Sequence, residues 1–337
     1  MKMKAGIFHG AGNVSVEERE VEHCGDNDAI LQNLMASVCG TDISAYQHGG
    51  ASYRIYDEGE FGHELVGRIV ELGKNVTDLH VGQRVFPYPS TCAPNGAKAC
   101  MLGGFSEYVH VADAKDGFNL FPIDDTITDE EASLIEPLTV GWHAAMRCKP
   151  KAEQNAIVLG AGGIGAAAAL CLRAQGLEKI LIVDRVAPKL NVMQELGFAT
   201  ANTSDEDWKN QIADYFGSAR SILGHGVNAQ IVVDAAGSGV LLDEIFPMIP
   251  IFGTLCIVAI YGKPHPMNLM AVTYGHLNII GSGGQSPEDI YGVIEMLGSK
   301  QFDIKKLISG VYRQDDISKA LDAAIDLNSV KICIDYR

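Results

Sequence analysis

Ala156-Ile-Val-Leu-Gly-Ala-Gly-Gly-Ile-Gly165, running on into Ala166-Ala-Ala-Ala-Leu-Cys-Leu172, decides the fold of this 337-residue chain. Four apolar residues read as a short strand of the kind buried in a parallel sheet, and the alanine-rich stretch beyond the glycines has high helix propensity. A strand that turns on glycines directly into a helix offers that helix's free N–H groups and positive dipole to a phosphate. Gly160, Gly162 and Gly165 then have separate duties: a tight turn, close approach of backbone to a pyrophosphate, and close packing of helix on strand. Gly163 and Ile164 complete the cradle between them.

The context strengthens this reading. Gly176 ends the helix, Lys179-Ile-Leu-Ile-Val-Asp184 supplies a second strand, and Asp184 follows Gly165 by 19 residues, close to the spacing of about 20 expected of an acid that binds ribose hydroxyls. A carboxylate there repels a 2′-phosphate, so NAD is the expected cofactor rather than NADP. The adjacent Arg185 pulls the other way, because an arginine accommodates that phosphate. Further apolar runs at 230–234, 254–259 and 277–281, with helical stretches between most of them, predict an α/β unit built on a doubly wound parallel sheet with right-handed crossovers.

Upstream, from Ala5 to about Phe121, the texture is different. Short β-rich runs broken by glycine, such as 64–73 and 105–111, predict a mostly antiparallel β domain. Helical character begins after Thr128, where Thr128 and Glu131 form a candidate capping box, and Pro150 marks a boundary. The segment 286–337 holds two helices, 287–299 and about 316–327, and a closing strand, 331–335.

Composition narrows the function classes. With 47% hydrophobic and 20% charged residues the chain is globular, and no run approaches the roughly 18 apolar residues of a membrane span. The N-terminal stretch turns polar too soon for a secretory signal, so the expected location is the cytoplasm. A formal net charge of −16 without a basic stripe argues against nucleic acid or an anionic membrane as partner. The eight scattered cysteines, in a chain too large to need stapling, are expected as free thiols.

Two of the motifs supply metal-ligand chemistry. Cys39-Gly-Thr-Asp42 and Gly62-His-Glu64 place a thiolate, an imidazole and a carboxylate close together in sequence, and sulfur with nitrogen suits a borderline-soft ion such as zinc. A metal site with few protein ligands, on a chain that also binds a nicotinamide, predicts hydride chemistry. Each residue also has a bland alternative. An isolated cysteine packs as a small hydrophobe, and Glu64 could orient a ligand rather than bind metal.

At these residues the chain resembles the medium-chain zinc-dependent dehydrogenases, the superfamily of alcohol, sorbitol, butanediol and threonine dehydrogenases. The resemblance covers nearly the whole chain: Cys39-Gly-Thr-Asp42, Gly62-His-Glu64, Val81-Gly-Gln-Arg-Val85, Gly103-Gly-Phe-Ser-Glu-Tyr108, Glu136-Pro-Leu138, the glycine turn and Asp184 stand in family order. It implies a GroES-like catalytic domain formed by 1–149 and 286–337, and a Rossmann cofactor domain at 150–285. It implies one catalytic zinc on Cys39 and His63, with Glu64 as ligand or close neighbour and Glu136 as a further, exchangeable carboxylate. Thr41 stands where the family carries the first hydroxyl of a proton relay. The stretch Glu136-Pro-Leu-Thr-Val-Gly-Trp-His143 looks like that of sorbitol and butanediol dehydrogenases, which points to a small-molecule polyol, cyclitol or diol as substrate and NAD as acceptor. A homodimer or homotetramer is likewise implied.

The chain departs from the family in two places. The relay histidine is replaced by Ser44, and the lobe that carries a structural zinc on four cysteines retains only Cys92 and Cys100, too few thiolates for a closed tetrahedral site. A metal-free lobe is expected. Competing readings are a zinc-free enone or quinone reductase of the same fold, threonine dehydrogenase-like amino-alcohol oxidation, and a dinucleotide-binding protein without catalysis. The joint presence of Cys39, His63 and Glu64 argues against the first and the last.

Overall fold

In the computed structural model, which describes residues 1–92 and 98–337, the run Ala156–Leu159 is a fully buried strand. It lies near the centre of a six-stranded, all-parallel sheet. From one edge to the other the strands are Ala199–Asn202, Ile180–Asp184, Ala156–Leu159, Ile231–Asp234, Thr254–Ile257 and Asn278–Gly281. Numbered in chain order this is 3-2-1-4-5-6, the doubly wound arrangement in which the winding reverses beside the first strand. Ligands of such sheets bind outside the carboxyl ends of the strands at that reversal. The helix Gly163–Ala174 follows the turn at once, and its alanines let it lie close on the sheet, with Ala166 to Leu172 all buried.

Two compact units emerge, Met1–Pro137 with Ile294–Arg337, and Leu138–Val293. Each seam falls inside a helix, Ile135–Arg147 or Pro287–Gly298, whereas the sequence reading places them at 149/150 and 285/286. The reason is packing within the second unit. His143 Nδ1 pairs with Asp289 at 2.8 Å, a Cβ at Gly292 would meet the Trp142 ring at 2.6 Å, and one at Gly141 would meet the backbone of Ala168 at 2.5 Å. His143 and Trp142 are thus packing residues that knit the two helices together.

The first unit is built on a seven-stranded sheet in the order Ile308–Arg313, Lys331–Asp335, Ala29–Ser37, Glu64–Leu72, Arg84–Pro87, Leu120–Pro122, with Tyr108–Val111 also pairing to Ala29–Ser37. Apart from the first pair, which is parallel, its ladders are antiparallel. The C-terminal segment therefore returns to complete the N-terminal sheet. A smaller sheet of Val14–Glu20, Lys2–Phe8 and Gly59–Glu60 and the helix Ile317–Ile325 close over a core that includes Phe8, Phe61, Phe105, Leu65 and Leu321. The capping box forms as read, with the Thr128 N–H donating to Glu131 at 2.8 Å and the Glu131 N–H to Thr128 Oγ1 at 3.4 Å.

All eight cysteines are free. Among the described residues no helix is long and apolar enough to cross a membrane. The expected metal-free lobe between Cys92 and Cys100 falls largely on 93–97, outside the described residues.

Candidate active site

Three neighbouring strands bring the first cluster together. Ser37, at the end of Ala29–Ser37, faces Glu64, the first residue of Glu64–Leu72, on one side and Cys333 on the other. Cys39 follows two residues later as the N-cap of the helix Gly40–His48. Lys331 opens the third strand. Strand ends suit such a site, because the ladder fixes the backbone while side chains at the rim are free to converge.

His63 is held by close backbone approach. Gly62 has φ +86°, and a Cβ there would strike the Phe105 ring at 2.8 Å; one at Gly104 would meet the Gly62 carbonyl carbon at 2.8 Å and the His63 nitrogen at 2.9 Å. Only glycine fits either position. The Gly104 N–H donates to the Gly62 carbonyl at 2.9 Å, and buried Asn33 donates to the Gly104 carbonyl at 2.7 Å.

Ligating atoms of Cys39, His63 and Glu64 all lie within 4.8 Å of one another. His63 and Glu64 are buried. Asp42 is fully buried, accepts the Cys39 N–H at 2.9 Å, and stands 4.0 Å from His63 Nδ1. That nitrogen, Asp42 Oδ1 and Thr41 Oγ1 are buried and without hydrogen-bond partners. A pocket that gathers a thiol, an imidazole and a carboxylate and leaves buried polar atoms unsatisfied has the composition of a zinc site. The donor set fits the ion.

The electrostatics follow from this crowding. Burial pushes the Cys39 thiol up, reinforced by the charge of Glu64, and pushes the Asp42 carboxyl up to about 6. At His63 burial works against the charged ring, but the sulfur of Cys39 and the carboxylates of Asp42 and Glu136 outweigh it and raise its pKa. At Glu64 burial is likewise opposed, here by the Lys331 ammonium and His63, and the carboxyl stays below its ordinary value. Glu136 is buried on the first turn of Ile135–Arg147. It acts on His63 and Lys331 through its charge and stands outside the three-residue cluster.

Lys331 and Ser37 are the residues that sequence reading missed. Lys331 is 7% exposed, and its ammonium donates to both Glu64 oxygens, at 2.7 Å to Oε1, and to the Val38 carbonyl at 3.0 Å. The Ser37 hydroxyl donates to Glu64 Oε2. Burial raises the pKa of Cys100, expected as a remnant of the lobe, and the charge of His63 opposes that rise.

The second cluster is the glycine turn. Gly160 has φ +98°, and a methyl group on Gly165 would be driven into the Gly160 carbonyl, 2.9 Å from its carbon and nearer its oxygen. At Gly162, the N-cap of Gly163–Ala174, a Cβ would meet nothing within 4 Å. The turn is therefore tight on its protein side and open where a ligand approaches, a cradle that fits a pyrophosphate. Asp184 is tied to the turn: its Oδ2 accepts the Ala161 N–H at 2.7 Å, and its Oδ1 accepts those of Arg185 and Val186 at 2.7 and 2.9 Å. Arg185 is exposed. Across the winding reversal, buried Asp234 shapes the next loop by accepting the N–H groups of Ala236 and Gly237 and the Tyr261 hydroxyl at 2.6 Å. No motif in the sequence signals that role.

A GroES-like catalytic unit with a thiol-imidazole-carboxylate cluster, joined in one chain to a doubly wound dinucleotide unit, defines a class of metal-dependent dehydrogenases. Comparison with known proteins agrees. Residues 25–125 match the alcohol dehydrogenase GroES-like domain, and residues 163–299 match the zinc-binding dehydrogenase domain. The L-galactonate-5-dehydrogenase of Escherichia coli (strain K12) is 29% identical over 312 residues, covering 88% of this chain and 87% of the relative. The sorbitol dehydrogenase of Bacillus subtilis (strain 168) is 24% identical over 346 residues, covering 97% and 95%. Among solved structures, the 2R,3R-butanediol dehydrogenase of Bacillus subtilis superposes with a TM-score of 0.86 at 24% identity, covering 99% of this chain and 100% of that one. The chain belongs to the medium-chain zinc-dependent dehydrogenase family.

Proposed function

We propose that this protein is a zinc-dependent oxidoreductase that transfers hydride between a secondary alcohol of a polyol, cyclitol or diol and NAD. The observation that carries the reading is the convergence of Cys39 with the buried His63 and Glu64 within 4.8 Å, on a chain that also holds the glycine turn. Curated relatives that act on a sugar acid and a sugar alcohol support the substrate class.

Cys39 and His63 would hold the ion, with Glu64 beside it and Glu136 in reserve. When bound, zinc polarises the alcohol oxygen as a Lewis acid and the nicotinamide accepts the hydride. The chain's own residues do the rest. Asp42 fixes the Cys39 backbone and faces the imidazole of His63, and the Thr41 hydroxyl would take the alcohol proton toward solvent. The open face at Gly162 and the N–H groups of Gly163, Ile164 and Gly165 would receive the pyrophosphate. Asp184, held rigid by three backbone donors, would accept from the ribose hydroxyls and disfavour a 2′-phosphate, so NAD is preferred over NADP despite Arg185.

The family resemblance supports a homodimer or homotetramer. Zinc content by elemental analysis tests the metal half of the reading. The purified chain should carry zinc, and Cys39→Ser and His63→Ala should each abolish it; metal retained in both variants would place the ion elsewhere and defeat the reading.

A further inference from the structure

We infer that Lys331 is a positioning residue of the metal centre, a built-in cation that competes with the bound ion for the carboxylate of Glu64. The inference rests on the zinc site proposed above and goes beyond its ligand set.

The geometry carries it. Both oxygens of Glu64 are engaged by the Lys331 ammonium, and one of them also by the Ser37 hydroxyl. Yet an oxygen of the same carboxylate lies within 4.8 Å of ligating atoms of Cys39 and His63. The carboxylate thus serves two cations, the fixed ammonium and the ion that Cys39 and His63 would hold. Lys331 is itself immobilised, at the start of an internal strand and by its bond to the Val38 carbonyl, so it does not leave with solvent as a surface lysine would.

A charge count shows what this does. Zinc with the Cys39 thiolate, neutral His63 and the Glu64 carboxylate would form a neutral centre, and the nearby carboxylates of Asp42 and Glu136 would make it negative. Lys331 returns one positive charge. A carboxylate shared with an ammonium is a weaker donor to zinc, and the ion keeps more of its Lewis acidity for the alcohol oxygen. In the metal-free protein the same ammonium neutralises a carboxylate that would otherwise be buried unpaired, a costly state. Lys331 therefore stabilises the metal-free form more than the loaded one, and its removal should tighten metal binding.

The sign of this effect separates positioning from mere support of the sheet. Lys331→Met, Lys331→Arg and the double variant Glu64→Gln/Lys331→Met are compared with the wild-type chain. The readouts are the rate of zinc transfer to an excess of chelator, the thermal midpoint with and without zinc, and the visible absorption of the cobalt-substituted protein. Lys331→Met should release zinc about tenfold more slowly, show a larger zinc-induced rise in midpoint, and shift the cobalt band. Lys331→Arg should restore all three toward wild type. The double variant, whose carboxamide needs no counter-ion, should recover the metal-free midpoint and release zinc faster than Lys331→Met. That variant and Lys331→Arg decide the matter if Lys331→Met does not fold. Equal losses of midpoint with and without zinc, and unchanged release and cobalt spectra, would overturn the inference and leave Lys331 a structural ion pair. Failure of the zinc site itself is told apart by the wild-type protein, which would then take up neither zinc nor cobalt in a Cys39-dependent manner.

Discussion

Two single-methyl additions in the glycine turn, Gly165→Ala and Gly162→Ala, should have opposite signatures. At Gly165 the added carbon lies 2.9 Å from the Gly160 carbonyl carbon and nearer still to its oxygen, and both partners are backbone. Relief needs the strand-to-helix turn to open, at the upper end of the roughly 1–3 kcal/mol typical of overpacking. At about 2–4 °C per kcal/mol for a unit of this size, the thermal midpoint should fall by about 6–12 °C, and NADH affinity should drop with the distorted cradle. At Gly162 the backbone is extended, with φ −76° and ψ −179°, and the methyl meets nothing within 4 Å. An alanine is a poorer N-cap than glycine, worth less than about 1 kcal/mol, so the midpoint should move by no more than about 4 °C. The methyl would, however, occupy the space of the pyrophosphate, and NADH affinity should fall at least tenfold, about 1.4 kcal/mol. Differential scanning fluorimetry and NADH fluorescence titration on both variants make the comparison. A Gly162→Ala protein that binds NADH within twofold of wild type would refute the assignment of the open face to the cofactor.

Three further outcomes are expected. Asp184→Gly should erode the preference for NAD, read as the ratio of kcat/KM for NAD and NADP; an unchanged ratio would remove Asp184 from the ribose site. Elemental analysis should give one zinc per chain, because Cys92 and Cys100 are too few for a second, closed site; two per chain would contradict this. Burial opposes ionisation of Glu130, but its own backbone N–H, Arg337 at 3.2 Å, the Thr128 hydroxyl and the charge of Lys305 at 3.5 Å together lower its pKa to about 2. A depressed carboxyl stabilises the fold above its unfolded value and loses that contribution as pH falls toward the folded one. Glu130→Gln should therefore lower the urea midpoint at pH 7 and flatten its decline between about pH 4.5 and pH 2; an identical acid profile in the variant would exclude the mechanism.

Five of the six strands of the cofactor sheet were legible because each is a short apolar run; the edge strand Ala199–Asn202, half polar, carries no such signal. The observed limits differ from the sequence reading by a residue or two, as where 179–184 becomes Ile180–Asp184. The Thr128–Glu131 box was legible because its bonds are local. Cys39, His63 and Glu64 could be picked out by residue type and motif, but their convergence depends on pairing between Ala29–Ser37 and Glu64–Leu72, a register that the sequence pattern does not encode. Lys331 was invisible because its partner is 267 positions away, and a lysine opening the strand Lys-Ile-Cys-Ile-Asp reads as a solvated strand end. Asp42 sits within a quoted motif, yet only the fold shows that it is fully buried beside His63.

Hydride transfer from a secondary alcohol to NAD through a zinc site is tested most directly by NAD reduction across a panel of sugar alcohols, inositols, diols and threonine, before chelation, after it, and after zinc is restored. Activity on a polyol, cyclitol or diol that chelation abolishes and zinc restores is the expected result. Turnover insensitive to chelation, or confined to enones and quinones, would contradict it.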